Sequence, residues 1–241
     1  MEAALFIPCI VNLFMPGIGD ATASVLERVG VSVSYPGEVC CGQPAFNSGH
    51  WEEAKMVARR FLRVYRDCEA IVCPSGSCVS MVRKHYPRLF ADNPAELDDA
   101  ISIGKRLFEF TEFLVKRLGI SDLEASYSGR VTVHDSCHLN RELGIREEPR
   151  SLLRMARGLE IVEMDESDRC CGFGGTFSVK FPEVSTAMAS GKAENILHTG
   201  ADTMVVCDPG CIMQIKGLLQ RRGESIRVLH IAELLCETMK L

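Results

Sequence analysis

One five-cysteine pattern is written twice along this chain, and it constrains the fold more than any other feature. The first copy is Cys9, the triplet Cys40-Cys41-Gly42, then Cys73 and Cys78. The second is Cys137, the triplet Cys170-Cys171-Gly172, then Cys207 and Cys211. Corresponding cysteines lie 128, 130, 134 and 133 residues apart. A period of about 130 residues is too long for a solenoid and fits a duplicated domain. Of the twelve cysteines, Cys68 and Cys236 alone stand outside the pattern.

The repeat extends beyond the thiols. Asn12 and Asn140 each follow their first cysteine by three residues, and Phe46 and Phe177 follow their triplets. Short apolar runs at 4–8 and 131–134 read as buried strands that end near the first cysteine of each set. Helical patterns at 20–29 and 151–157 lead into second strands at 31–35 and 160–164. Helices at 51–65 and 183–198 follow the triplets. Third strands at 70–73 and 203–207 deliver the last cysteines into another helix start. Alternating strands and helices imply parallel sheets, in which ligands sit beyond the carboxyl ends of the strands. The expectation is an α/β protein of two pseudo-repeated Rossmann-like halves, residues 1–125 and 126–241, each bearing one cysteine set. Residues 88–104 read as a loop, 107–118 and 229–239 as closing helices, and 121–130 as the break between halves.

Hydrophobic residues make up 46% of the chain and charged residues 24%, enough apolar material for a core without disulfide staples. The net charge of −5 is spread without a basic block, which argues against nucleic acid as the partner. No stretch reaches the roughly 18 apolar residues of a membrane span. The first residues lack the basic start of a signal peptide. The chain therefore reads as cytoplasmic, where thiols stay reduced and a disulfide scaffold is not expected.

Adjacent cysteines cannot serve one site from a regular strand, because successive side chains point to opposite faces. A turn at Gly42 or Gly172 removes that obstacle. Converging thiolates repel one another unless cations lie among them, so metal is the natural compensation. One zinc ion takes four ligands, as does a cubane iron–sulfur cluster. Five thiols exceed either by one, which points to a cluster of unusual shape or to a cysteine with another role. Zinc remains open for the first half. Cys68 and Cys236 read as buried free thiols.

The order of Cys, Cys-Cys-Gly and a closely spaced final Cys pair resembles the cysteine-rich CCG domain, and its duplicated form covers essentially the whole chain. The family includes the cysteine-rich subunit of heterodisulfide reductase, iron–sulfur subunits of glycolate and glycerol-3-phosphate oxidation systems, and lactate-utilization proteins. Pro74-Ser75-Gly76-Ser77-Cys78 and His134-Asp135-Ser136-Cys137-His138-Leu139-Asn140-Arg141 look most like the lactate-utilization branch. The resemblance implies that Cys9, Cys40, Cys41, Cys73 and Cys78, and Cys137, Cys170, Cys171, Cys207 and Cys211, ligate iron–sulfur centres. It implies at most one [4Fe-4S] cluster per half, of a noncubane kind in heterodisulfide reductase. The last pairs depart from the Cys-x₂-Cys usual there, with four and three intervening residues. It also implies an electron-transfer subunit that works with other iron–sulfur and accessory subunits to oxidise L-lactate to pyruvate. A heterodisulfide or thiol–disulfide reductase subunit is an alternative, and a zinc-stabilised binding module without enzymatic activity is another.

The halves differ in chemistry. Around Cys137 stand His134, Asp135, His138 and Arg141, whereas Ile7, Pro8, Ile10 and Leu13 surround Cys9. His134, His138 and Arg141 are candidates for contact with a small 2-hydroxy acid: a proton acceptor, and a guanidinium able to hold a carboxylate. The competing role is orientation of metal ligands. Gly172-Phe173-Gly174-Gly175 lacks the spacing and acidic residue of a dinucleotide loop, and suits backbone N–H groups approaching sulfur.

Overall fold

The computed structural model describes residues 1–239. The chain divides into two compact units at Phe113 and Leu114. Each unit is built on a four-stranded sheet in which every pairing is parallel. In the first unit the strands are β1 (Glu2–Leu5), β2 (Ser32–Ser34), β3 (Ile71–Cys73) and β4 (Leu107–Glu109), in spatial order β2-β1-β3-β4. In the second they are β5 (Ser126–His134), β6 (Arg157–Ile161), β7 (Thr203–Val206) and β8 (Arg227–His230), in the order β6-β5-β7-β8. The two orders are the same topology, so the duplication seen in the cysteines is a duplication of fold.

The central strands are fully buried apolar runs, as strands covered on both faces must be. Ile71, Val72 and Cys73 are inaccessible, as are Met204, Val205 and Val206. Helices cover them through amphipathic faces. The Trp51–Tyr65 helix turns Ala54, Ala58, Phe61, Leu62 and Tyr65 inward, the i, i+4, i+7 spacing of one stripe. In the first unit an aromatic cluster fills the core. Phe6 meets Phe61 edge to face at 4.8 Å, and Phe61 meets Tyr86 at 5.7 Å. The buried phenols are satisfied by backbone: Tyr65 donates to the Leu5 carbonyl and Tyr86 to the Cys41 carbonyl, both at 3.0 Å.

Three local expectations are corrected. Residues 88–104, read as a loop, contain the helix Pro94–Arg106. Asn93 caps it through the Glu96 N–H and Pro94 occupies its first turn, the arrangement that starts a helix rather than a loop. The closing segments at 107–118 and 229–239 each begin with a strand, β4 and β8, before turning helical. Both turns are made by a capping box, Glu109 with Glu112 and His230 with Glu233. Ser126, Ser128 and Gly129, read as part of a break, lie in β5.

Candidate metal centre

In each unit the cysteines converge at the carboxyl ends of the two central strands. Cys9 opens the helix after β1, and Cys73 ends β3. Cys137 lies three residues beyond β5, and Cys207 directly follows β7. The Cys-Cys-Gly triplets arrive from loops beyond β2 and β6. Gly42 and Gly172 adopt left-handed backbone, with φ of +81° and +83°. That conformation turns the chain so that both neighbouring thiols face one site. At Gly172 the turn is also crowded: an added Cβ would lie 2.5 Å from the Ser185 carbonyl oxygen.

The first set brings four thiols together. Cys9 Sγ lies 3.7 Å from Cys40 Sγ, and Cys41 Sγ lies 3.4 Å from Cys78 Sγ. The Cys73 thiol, fully buried, donates to the Ser75 carbonyl at 3.8 Å. In the second set Cys171 Sγ and Cys211 Sγ are 2.9 Å apart, and Cys137 interacts with Cys170. Cys207 is fully buried behind them. No disulfide joins any of the cysteines among the described residues.

The electrostatics of the two sets match. Hydrogen bonds from Cys41 and Cys9 hold the Cys40 thiol down at about 3, aided by the Gly42 N–H at 3.4 Å. Hydrogen bonds from Cys137 and Cys171 hold Cys170 down at about 2, again with a glycine N–H, that of Gly172, at 3.4 Å. The partners move the other way. Cys9 and Cys41 are raised by their bonds to Cys40, and Cys137 and Cys171 by theirs to Cys170, with burial adding to each. In each set the neighbouring thiols thus favour the thiolate form of the first cysteine of the triplet. A cation placed among these sulfurs would take over the work of the thiol protons, so the donor set fits a metal centre.

The surroundings are not alike. Three residues before Cys9 stands Phe6; three residues before Cys137 stands His134. Phe6 packs on Phe61, in the helix that follows the first triplet. In the Pro182–His198 helix that follows the second triplet, a buried cation takes a comparable inward place. Lys192 is inaccessible, and its ammonium donates to the Glu166 and Ser167 carbonyls at 2.7 and 3.0 Å. Burial holds its pKa down at about 8 against the pull of Cys171 and other anions. Lys192 is a functional candidate that sequence reasoning missed; a lysine inside a helix reads as a solvated face.

His134 is the last residue of β5 and is 1% exposed. Burial drives its pKa down to about 4, so the ring is neutral. A ring nitrogen lies within 4.8 Å of both Cys171 Sγ and Cys211 Sγ, the one such group of His, Cys and carboxylate donors among the described residues. Asp135 is taken up by other partners. Arg150 grips it with two nitrogens, Ser167 donates to it at 2.7 Å, and Arg146 lies 3.4 Å away. His138 is half-buried, with Nδ1 3.6 Å from Cys137 Sγ. Arg141 is exposed and donates to the Asp168 carbonyl at 2.9 Å, fastening the loop that leads to Cys170.

Two like units, each with a carboxyl-edge pocket of thiols set off by a left-handed glycine, define a class of duplicated cysteine-rich α/β protein. The chain belongs to the cysteine-rich CCG domain family, which matches it twice, over residues 3–83 and 131–216. It is 43% identical to lactate utilization protein A of Bacillus subtilis strain 168, over 98% of this chain and 99% of that one. It is 42% identical to the protein of that name from Oceanobacillus iheyensis, over 98% and 96%. Among solved structures, glutamate racemase from Thermus thermophilus aligns with 98% of this chain and 77% of its own, at a TM-score of 0.33 and 14% identity. No helix among the described residues is long and apolar enough to cross a membrane.

Proposed function

We propose that this chain is an iron–sulfur electron-transfer subunit of a multi-subunit oxidoreductase that oxidises L-lactate to pyruvate in the cytoplasm. The observation that carries the reading is the convergence, in each unit, of thiols distant in sequence on one strand-end site, with sulfurs close enough that their thiolates call for a cation among them. The near full-length likeness to lactate utilization protein A supports the choice of lactate as the substrate. The ligands are Cys9, Cys40, Cys41, Cys73 and Cys78 in one unit, and Cys137, Cys170, Cys171, Cys207 and Cys211 in the other.

Oxidising lactate to pyruvate removes two electrons and two protons. An iron–sulfur centre, when bound, supplies one-electron acceptance. The chain's own residues would do the rest. Gly42 and Gly172 aim N–H groups at Cys40 and Cys170, which lowers negative charge at those sulfurs. Lys192 and the Asp135–Arg150 pair hold the 163–168 segment that positions the second triplet. A carboxylate substrate would meet half-buried His138, beside Cys137, and exposed Arg141. Electrons leave toward a partner iron–sulfur subunit.

The deciding experiment is metal and sulfide analysis of protein purified without oxygen. The reading expects a brown protein with about four irons and matching acid-labile sulfide per occupied unit. Zinc without iron or sulfide would replace it with a structural metal module.

A further inference from the structure

We infer that His134 supplies a nitrogen ligand to the metal centre of the second cysteine set, alongside Cys171 and Cys211, so that the two centres differ in donor type. The inference deepens the metal-centre reading of the second unit and rests on it.

Three observations carry it. First, both ring nitrogens of His134 are buried without a hydrogen-bond partner of acceptable geometry among the described residues. A buried polar group left unsatisfied is destabilising. An apolar side chain is compatible with this place, because buried Leu5 pairs with Val72, the residue before Cys73, as His134 pairs with Val206, the residue before Cys207. A histidine here needs a function that repays its burial. Second, the geometry is close to coordination. One ring nitrogen and the two thiol sulfurs lie within 4.8 Å of one another, and all three residues are buried. Donors around one tetrahedral ion sit roughly 3.5 Å apart, a distance that small side-chain rotations reach from here. Third, the backbone fixes the approach. His134 ends β5 and pairs in register with Val206, the residue before Cys207, so the imidazole enters from the same strand edge as the thiols.

A nitrogen donor would change the centre itself. With the imidazole in the place of one of the five thiolates, the centre would carry less negative charge and a higher reduction potential. The first unit has no histidine at this place, so its centre would remain all-thiolate and the lower in potential. The non-ligating nitrogen would then carry the proton towards the Ser167 backbone, whose hydrogen-bonding pull on the ring is already felt, and tighten that contact. Ser167 also donates to Asp135 and takes a hydrogen bond from Lys192, so the ring orientation would be tied to the whole polar shell.

The test uses the full chain labelled with ¹⁵N-histidine. One sample is reconstituted with iron and sulfide without oxygen, and a second, apo and reduced, is titrated with Co²⁺ alone. Pulsed EPR of each is expected to show one strongly coupled histidine nitrogen. His134→Phe should abolish that coupling, while His138→Gln retains it and folding is checked by circular dichroism. Assembly of iron–sulfur centres in both units with no nitrogen coupling overturns the inference and leaves the iron–sulfur reading standing. Failure to assemble iron–sulfur centres, with Co²⁺ bound and coupled to nitrogen through His134, overturns that reading and supports the ligand. A coupling that survives in a folded His134→Phe chain also overturns the inference.

Discussion

Arg150 holds Asp135 in a fork of two hydrogen bonds, 2.7 and 3.0 Å long, two residues before Cys137. Both side chains are 3% exposed, and the same guanidinium reaches Glu163 at 2.7 and 2.9 Å. Breaking such a pair by removing one partner strands a buried charge and costs about 3–5 kcal/mol. Arg150→Leu should therefore lower the unfolding free energy by that amount in denaturant titration. The surface pair Arg227–Glu237 should lose under about 1 kcal/mol on the same treatment. Equal losses at the two sites would show that the buried fork contributes no more than a surface contact.

Glu109 gives the first unit a pH dependence. Its carboxyl is fully buried, one oxygen has no partner among the described residues, and burial raises its pKa to about 7 despite bonds from Thr111 and Glu112. The unfolded value is about 4.3. Between these values the native state binds more protons than the unfolded chain, so stability falls as pH rises through that window. Glu109→Gln should flatten this slope, by a total on the order of 3 kcal/mol across the window. Denaturant midpoints of both chains between pH 4.5 and 7.5 measure it, and parallel profiles would remove Glu109 as the cause.

The two triplet glycines should not tolerate alanine equally. Both have positive φ, which costs a β-carbon residue about 1–2 kcal/mol. At Gly42 the new methyl would sit 3.4 Å from the Ala54 carbonyl oxygen, an acceptable contact. At Gly172 it would sit 2.5 Å from the Ser185 oxygen, so the triplet or the helix must shift. Gly172→Ala is expected to lower the melting temperature and metal content well beyond Gly42→Ala. Matching losses would mean that the helix yields freely.

The unequal surroundings of the thiol sets predict unequal consequences of losing a ligand. Cys171→Ser should abolish lactate oxidation by the assembled system, while Cys41→Ser leaves a measurable fraction. Each should remove the iron of one unit only, because each set is gathered within its own unit. The same residual activity in both variants would refute a working second centre.

Much of this arrangement is legible in the sequence where a residue's job is repeated. The cysteine order alone predicts a duplicated fold, and the helix at 51–65 agrees with its observed bounds because its apolar stripe is unbroken. What escapes is short or contextual. β4 has three residues and β8 four, each fused to a following helix, so their apolar positions merge into one helical period. Asp92-Asn93-Pro94 has the composition of a turn, and only Glu96 three residues after Asn93 marks it as a cap. His134 is conspicuous beside Cys137 in the sequence, but its relation to Cys171 and Cys211 depends on strand register. Lys192 gives no local signal at all: its burial follows from the carbonyls of residues 166 and 167 folding over it.

Because every strand pairing is internal to one unit, the order of synthesis matters. The first sheet lays down its last strand at Glu109, seventeen residues before β5 begins at Ser126. A growing chain can therefore close its first thiol pocket while the second does not yet exist, as domains of nascent proteins generally fold in turn. Metal delivery can follow the same sequence, one pocket at a time. A nascent chain stalled between the units would already offer a complete set of first-half ligands.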